Sequence, residues 1–138
     1  MKIEENKEQH HKWSQLMTLV HRCPSTVSGI AIMGRTRLTL WPLAYHADSE
    51  TASTTVNKHT LVREVGCSRD TVDRAVQNLI LAGLVSQSVR LDQGRIVTDR
   101  CTINQDLLQK EVAAAAYLAN LGDLAEQDYT SFYGPVPR

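Results

Sequence analysis

One predicted helix, residues 69–82, carries on a single face the types of polar side chain that contact nucleic acids. Its apolar residues recur at helical spacing and form one stripe; they are Val72, Ala75, Val76, Leu79 and Ile80. The opposite face holds Arg69, Asp70, Asp73, Arg74, Gln77 and Asn78. Guanidinium and amide groups hydrogen-bond base edges and phosphate oxygens. An ordinary solvated helix surface has the same pattern, so the flanking segments must decide between the two interpretations.

The segment before this helix favours the nucleic-acid interpretation. Residues 57–65 predict a shorter helix, and the turn Gly66-Cys67-Ser68 separates the two helices. Gly66 permits a sharp change of direction, and the Ser68 hydroxyl can accept from the free N–H groups of the second helix. A short turn that contains glycine between two helices is typical of DNA-binding helix pairs.

The segment after the helix predicts a β-hairpin. Gly83 ends the helix, and two strand patterns then flank the short turn Asp92-Gln93-Gly94. Arg90 and Arg95 lie on either side of that turn. Arginines on an isolated hairpin can simply improve solubility. Beside a DNA-binding helix, we expect them to contact phosphates or the minor groove.

Three sequence segments follow one another in an order that is typical of one group of proteins. They are Leu38-Thr39-Leu40, the run from Leu61 to Val72, and the run from Leu79 to Val85. With the hairpin they extend to Asn104, and they resemble the winged helix-turn-helix domains of bacterial and mobile-element regulators and replication proteins. The resemblance implies that the second helix of the pair is the recognition helix. It also implies that the DNA-facing positions are Ser68, Arg69, Thr71, Arg74 and Gln77.

The residues that we predict to bind DNA combine both lines of reasoning. They are Lys58, Ser68, Arg69, Thr71, Arg74, Gln77, Asn78, Arg90 and Arg95. We also expect Asp70 and Asp73 to form salt bridges with Arg69 and Arg74, because residues three and four positions apart on a helix are neighbours.

Helices are predicted at both ends of the chain. Residues 4–22 carry one apolar stripe, and Asn104 is the expected cap of a C-terminal helix. That last helix has a heptad-like seam, which predicts a homodimer; its residues are Leu108, Val112, Ala115 and Ala119. The alternative is that the two terminal helices pack together within one chain. The tail from Asp123 to Arg138 is expected to be disordered or to lie across a neighbouring surface.

Two expectations concern the middle of the chain. A helix is predicted to begin with Thr39 as its N-cap, so that Pro42 falls in the first turn, where its missing N–H costs little. The Ser- and Thr-rich stretch from Asp48 to Thr55 is predicted to be a polar loop.

Composition narrows the class of protein. The chain has 138 residues with 15 basic and 15 acidic side chains, so its formal net charge is zero. Residues 34–100 hold nine of the basic and seven of the acidic side chains, a low positive charge for a nucleic-acid module. The three cysteines are widely spaced and predict neither a zinc site nor a disulfide framework. No apolar signal segment or membrane span is evident, so a cytoplasmic location without membrane association is expected.

The sequence therefore predicts a mainly α fold with a small β-hairpin wing: a winged helix-turn-helix with flanking N- and C-terminal helices. The expected division is an N-terminal helix and connector (1–35), a DNA-binding domain (36–104) and a dimerisation helix with a tail (105–138). We predict a sequence-specific double-stranded DNA-binding protein, a dimeric transcriptional regulator of an inverted repeat. The alternatives are a plasmid or phage replication or partition protein, and a winged helix that binds another protein. No catalytic motif is present, so neither an enzyme nor a cofactor is expected.

Overall fold

A computed structural model describes residues 2–133, and their side chains for residues 7–98 and 100–121. The prediction of a mainly α fold with a small β-hairpin is confirmed. The helices are α1 (Lys2–His21), α2 (Gly34–Tyr45), α3 (Lys58–Val65), α4 (Arg69–Leu81) and α5 (Gln105–Tyr133). The strands are β1 (Thr26–Val27), β2 (Ile30–Ala31), β3 (Ser53–Thr54), β4 (Val85–Asp92) and β5 (Arg95–Ile103).

One hydrophobic core joins the helices and the base of the hairpin. Its fully buried large side chains include Ile32, Leu40, Leu43, Val72, Leu79, Leu84 and Leu108. Leu16 and Val20 of α1 are buried in the same cluster. The core therefore holds α4 from several sides, and this leaves one side of that helix facing outward.

Helix α2 begins earlier than expected, and the prediction of Thr39 as its N-cap is wrong. The helix starts at Gly34, and its N-cap, Met33, makes no side-chain capping bond. Thr39 is fully buried, and its hydroxyl donates to the Arg35 carbonyl at 2.8 Å. Pro42 lies inside the helix, where it has no N–H to donate. Burial of the surrounding apolar side chains offsets this loss, which the local sequence pattern cannot reveal.

A three-stranded antiparallel sheet, in the order β3-β5-β4, replaces part of the loop predicted for residues 48–55. Ser53 pairs with Thr102, and Thr54 pairs with Cys101. The Ser53 and Thr102 hydroxyls are also hydrogen-bonded at 2.8 Å. A two-residue strand is too short to show the alternation that marks a strand in sequence. Its pairing with β5 attaches the hairpin to the loop that precedes α3.

The Asp48 carboxylate shapes the turn that leads into β3. Its Oδ1 accepts from the backbone N–H groups of Glu50 at 2.8 Å and Thr51 at 3.2 Å. These two bonds, with Glu50 the larger contributor, lower the pKa of Asp48 below its ordinary value.

The terminal helices α1 and α5 contact each other, and the first part of α5 belongs to the core. The Asn104 side chain accepts from the Leu107 N–H at 3.1 Å, which confirms the predicted cap. Leu108 is fully buried, and Val112 packs against the same core. The alternative of a disordered tail is wrong as far as Tyr133, because α5 is helical up to that residue. The rest of the predicted tail, residues 134–138, lies outside the described residues.

Helix α1 is fixed to α2 and to the loop after it by polar contacts. Trp13 Nε1 donates to the Tyr45 carbonyl at 3.2 Å, and Lys12 Nζ lies 2.9 Å from Glu50 Oε1. Arg37 Nη2 donates to the His21 carbonyl at 2.9 Å, which satisfies a carbonyl at the end of α1. None of the described helices is long and apolar enough to cross a bilayer.

Candidate nucleic-acid interface

The turn between α3 and α4 has the geometry that its sequence predicts. Gly66 adopts a left-handed conformation with φ of 73°, and its N–H donates to the Val62 carbonyl at 2.9 Å. Ser68 Oγ then accepts from the Thr71 N–H at 3.3 Å, which confirms Ser68 as the N-cap of α4. Cys67 is half-buried and packs against the core. The turn thus fixes the direction in which α4 leaves α3.

Helix α4 separates apolar from polar residues as its sequence indicates. Val72, Ala75, Val76 and Leu79 are buried. The side chains of Arg69, Arg74 and Gln77 are exposed, as is Ser68 at the N-cap. Asp70 lies in the first turn, where the positive end of the helix dipole favours an acid. The exposed side is therefore a surface with two guanidinium groups, one amide and the Asp70 carboxylate.

Several of the predicted contact residues already have partners within the domain. Asn78 is half-buried, and its Nδ2 donates to Oγ1 of the buried Thr36 in α2 at 3.3 Å. The Thr71 and Ser68 hydroxyls lie 2.9 Å apart. These bonds position α4 and its cap, so a base or phosphate would have to compete with them.

Lys58 and Asp73 form an ion pair that links the start of α3 to the middle of α4. Lys58 Nζ lies 2.8 Å from Asp73 Oδ1, a buried oxygen that has no other partner among the described residues. The expected salt bridges of Asp73 with Arg69 and Arg74 are therefore replaced by this pair. The sequence reasoning missed it because residues 58 and 73 become neighbours only when the two helices pack.

The hairpin of β4 and β5, called here the wing, extends beyond the core. Its two-residue turn has positive φ at Gln93 (51°) and Gly94 (77°). The register pairs Arg90 with Val97 and Asp92 with Arg95, so both arginines lie on one face of the wing. Both are exposed. An irregularity between Ser88 and Val89 interrupts the register part-way along the wing.

A cleft of about 610 Å³ lies between the wing and the helix pair. Helices α3 and α4 contribute Lys58, His59 and Arg69 to its walls, and β5 contributes Ile96, Thr98 and Arg100. Four side chains that can carry positive charge therefore surround it. His59 was not among the predicted site residues; its place in the first turn of α3, next to Lys58, was the available signal.

Comparison with known proteins identifies the central part of the chain. Residues 32–85 match the family model described as a helix-turn-helix domain. The match spans α2, β3, α3 and α4 and ends at the first residue of β4, so it contains the turn and the exposed face of α4. No curated protein matches the chain.

The chain therefore contains a helix-turn-helix DNA-binding domain, and the resemblance seen in the sequence is confirmed. The hairpin directly after the matched segment has the place of a wing in such a fold. Within the described residues, no group of three or more His, Cys, Asp or Glu side chains could hold a metal ion.

Proposed function

We propose that this protein binds double-stranded DNA at specific sequences and regulates transcription as a dimer. The exposed face of α4 carries the proposal, because Arg69, Arg74 and Gln77 point away from a core that fully supports the opposite face. Arginine and glutamine are residues that recognise guanine and adenine by paired hydrogen bonds.

The dimensions of α4 suit a major groove. The helix has 13 residues, which corresponds to a length of about 20 Å. A major groove about 12 Å wide admits one such helix. With α4 in the groove, the wing and the start of α3 would flank it, and Lys58, Arg90 and Arg95 would contact phosphates or the minor groove.

The apolar surface of α5 supports a dimer, but with a different contact surface from the predicted seam. Leu108 is fully buried in the chain's own core, and Val112 is half-buried against it. Beyond them, Tyr117, Leu118 and Leu121 are exposed. With Ala114 they recur at helical spacing and form one stripe. We propose that a second copy covers this stripe, with Ala115 and Ala119 at its border.

Selection of bound duplexes from a random pool, at a stated salt concentration, tests this function. The expected product is an inverted repeat with half-sites about 34 Å apart, one turn of DNA. Arg69→Ala or Arg74→Ala should then weaken binding to the selected site by about 1–3 kcal/mol for each paired base contact that is lost.

Lys110→Ala is the matched control, since it removes an exposed positive charge from α5 rather than from α4. It should leave the affinity for the selected duplex unchanged. Equal binding by the wild-type protein and the Arg69→Ala/Arg74→Ala double variant would contradict base recognition by α4.

A further inference from the structure

The outer half of the wing has two chemically different faces. Residues directly opposite each other on paired strands point to the same side of a sheet. Arg90, Asp92 and Arg95 thus share one face with Val97, whereas Leu91 and Ile96 form a cross-strand pair on the other. Leu91 and Ile96 are each 74% exposed, and Val89 beside them is 62% exposed. An apolar pair therefore stands uncovered next to charged residues.

The apolar face belongs to the side of the wing that borders the helix pair. Nearer the core, the same face of the hairpin contributes Val85, Cys101 and Ile103, which are buried. Farther out, Ile96 lines the cleft opposite Lys58 and Arg69. Leu91 and Ile96 thus lie farther from the core on the same surface on which we place the DNA duplex.

We propose, on the basis of the DNA-binding function above, that the wing enters the minor groove and wedges Leu91 and Ile96 against a base step, which bends the duplex. Arg90 and Arg95, each next in sequence to one of the apolar pair, supply positive charge for the phosphates on either side. A second copy of the wing is the alternative occupant of this apolar pair, and the test below distinguishes it from a duplex.

The size of the wing explains why the duplex must deform. Two paired strands are about 4.8 Å apart before their side chains are counted. The minor groove of B-form DNA is only about 6 Å wide. A two-stranded tip can enter only if that groove opens. Apolar side chains that enter an opened minor groove partly unstack a base step and bend DNA toward the major groove.

The test compares DNA bending by the full chain with bending by a Leu91→Thr/Ile96→Thr variant. Threonine favours strands, so it should preserve the hairpin while removing most of the apolar surface. The duplex is the site enriched by selection, with a donor and an acceptor fluorophore at its ends. The wild-type complex should show a bend of roughly 20–90°, and the variant complex should be close to straight. Leu38→Thr, which alters an exposed leucine of α2, is the control and should bend DNA as the wild type does.

The outcomes separate this proposal from the proposed function. A wild-type complex that is tight but straight would overturn the wedge alone, as would equal bending by the double variant. If the double variant changed the sedimentation of the free protein but not the bend, the tip would be a contact between copies instead. Failure of the wild-type chain to retain any duplex at low salt would overturn DNA binding and the wedge together.

Discussion

Replacement of Leu108 by alanine separates the folding role of α5 from its proposed role in a dimer. Leu108 is 0% exposed and lies in the core shared by α1, α2 and α4. Truncation of such a leucine removes buried apolar contacts and leaves a cavity, which typically costs about 3–5 kcal/mol. We therefore expect Leu108→Ala to lower the free energy of unfolding by about that amount, measured by urea denaturation followed by circular dichroism.

Leu118→Ala is the matched control on the same helix, because Leu118 is 65% exposed. At a protein concentration low enough for monomers, this change should alter stability by less than about 0.5 kcal/mol. Its effect should grow with concentration if a second copy covers the stripe, whereas the effect of Leu108→Ala should stay constant. A loss below about 1 kcal/mol for Leu108→Ala, or a loss seen only at high concentration, would refute the assignment of Leu108 to the core of the monomer.

Two further changes test the local structure around the site. Ser68→Ala removes the side-chain cap of α4 and should lower the free energy of unfolding by about 1 kcal/mol in urea denaturation, whereas Ser86→Ala on the wing should have little effect. Asp48→Asn keeps an acceptor oxygen but cannot ionise. Because the pKa of Asp48 is lowered by the Glu50 and Thr51 N–H groups, its carboxylate stabilises the fold above the ordinary carboxyl pKa, and this stabilisation is lost as pH falls through the lowered value. Below about pH 4 the wild type should therefore lose stability more steeply than Asp48→Asn, and parallel pH profiles would contradict this origin of the shift.

Local sequence signals predicted the helix pair and its turn because each has its own side-chain chemistry. Asn57 and Ser68 both accept from a backbone N–H three residues later, and Gly66 has the left-handed backbone that glycine favours. The turn of the wing was predicted at Asp92-Gln93-Gly94 for the same reason, although Asp92 pairs with Arg95 and belongs to β4. Such features depend on neighbours in the chain, so one sequence is enough to reveal them.

Features that depend on tertiary packing were missed, misplaced or could not be decided from the sequence. The start of α2 was predicted from Thr39 and Pro42, but burial of that segment overrides both signals. The pairing of β3 with β5 joins residues that are far apart in the chain. The seam of α5 was predicted from heptad spacing, which cannot distinguish a face that packs on its own chain from one that packs on a second copy.

The charges of the candidate interface favour selectivity among DNA sequences over nonspecific affinity for DNA. Arg69 and Arg74 share the exposed side of α4 with Asp70, and Lys58 is already paired with Asp73. Acidic side chains near the backbone of a duplex repel its phosphates. They therefore disfavour any position on the DNA in which the arginines gain only phosphate contacts. In the proposed complex, base contacts would then supply much of the binding free energy. A formal net charge of zero for the whole chain agrees with such a protein, because nonspecific affinity for DNA arises almost entirely from counterion release.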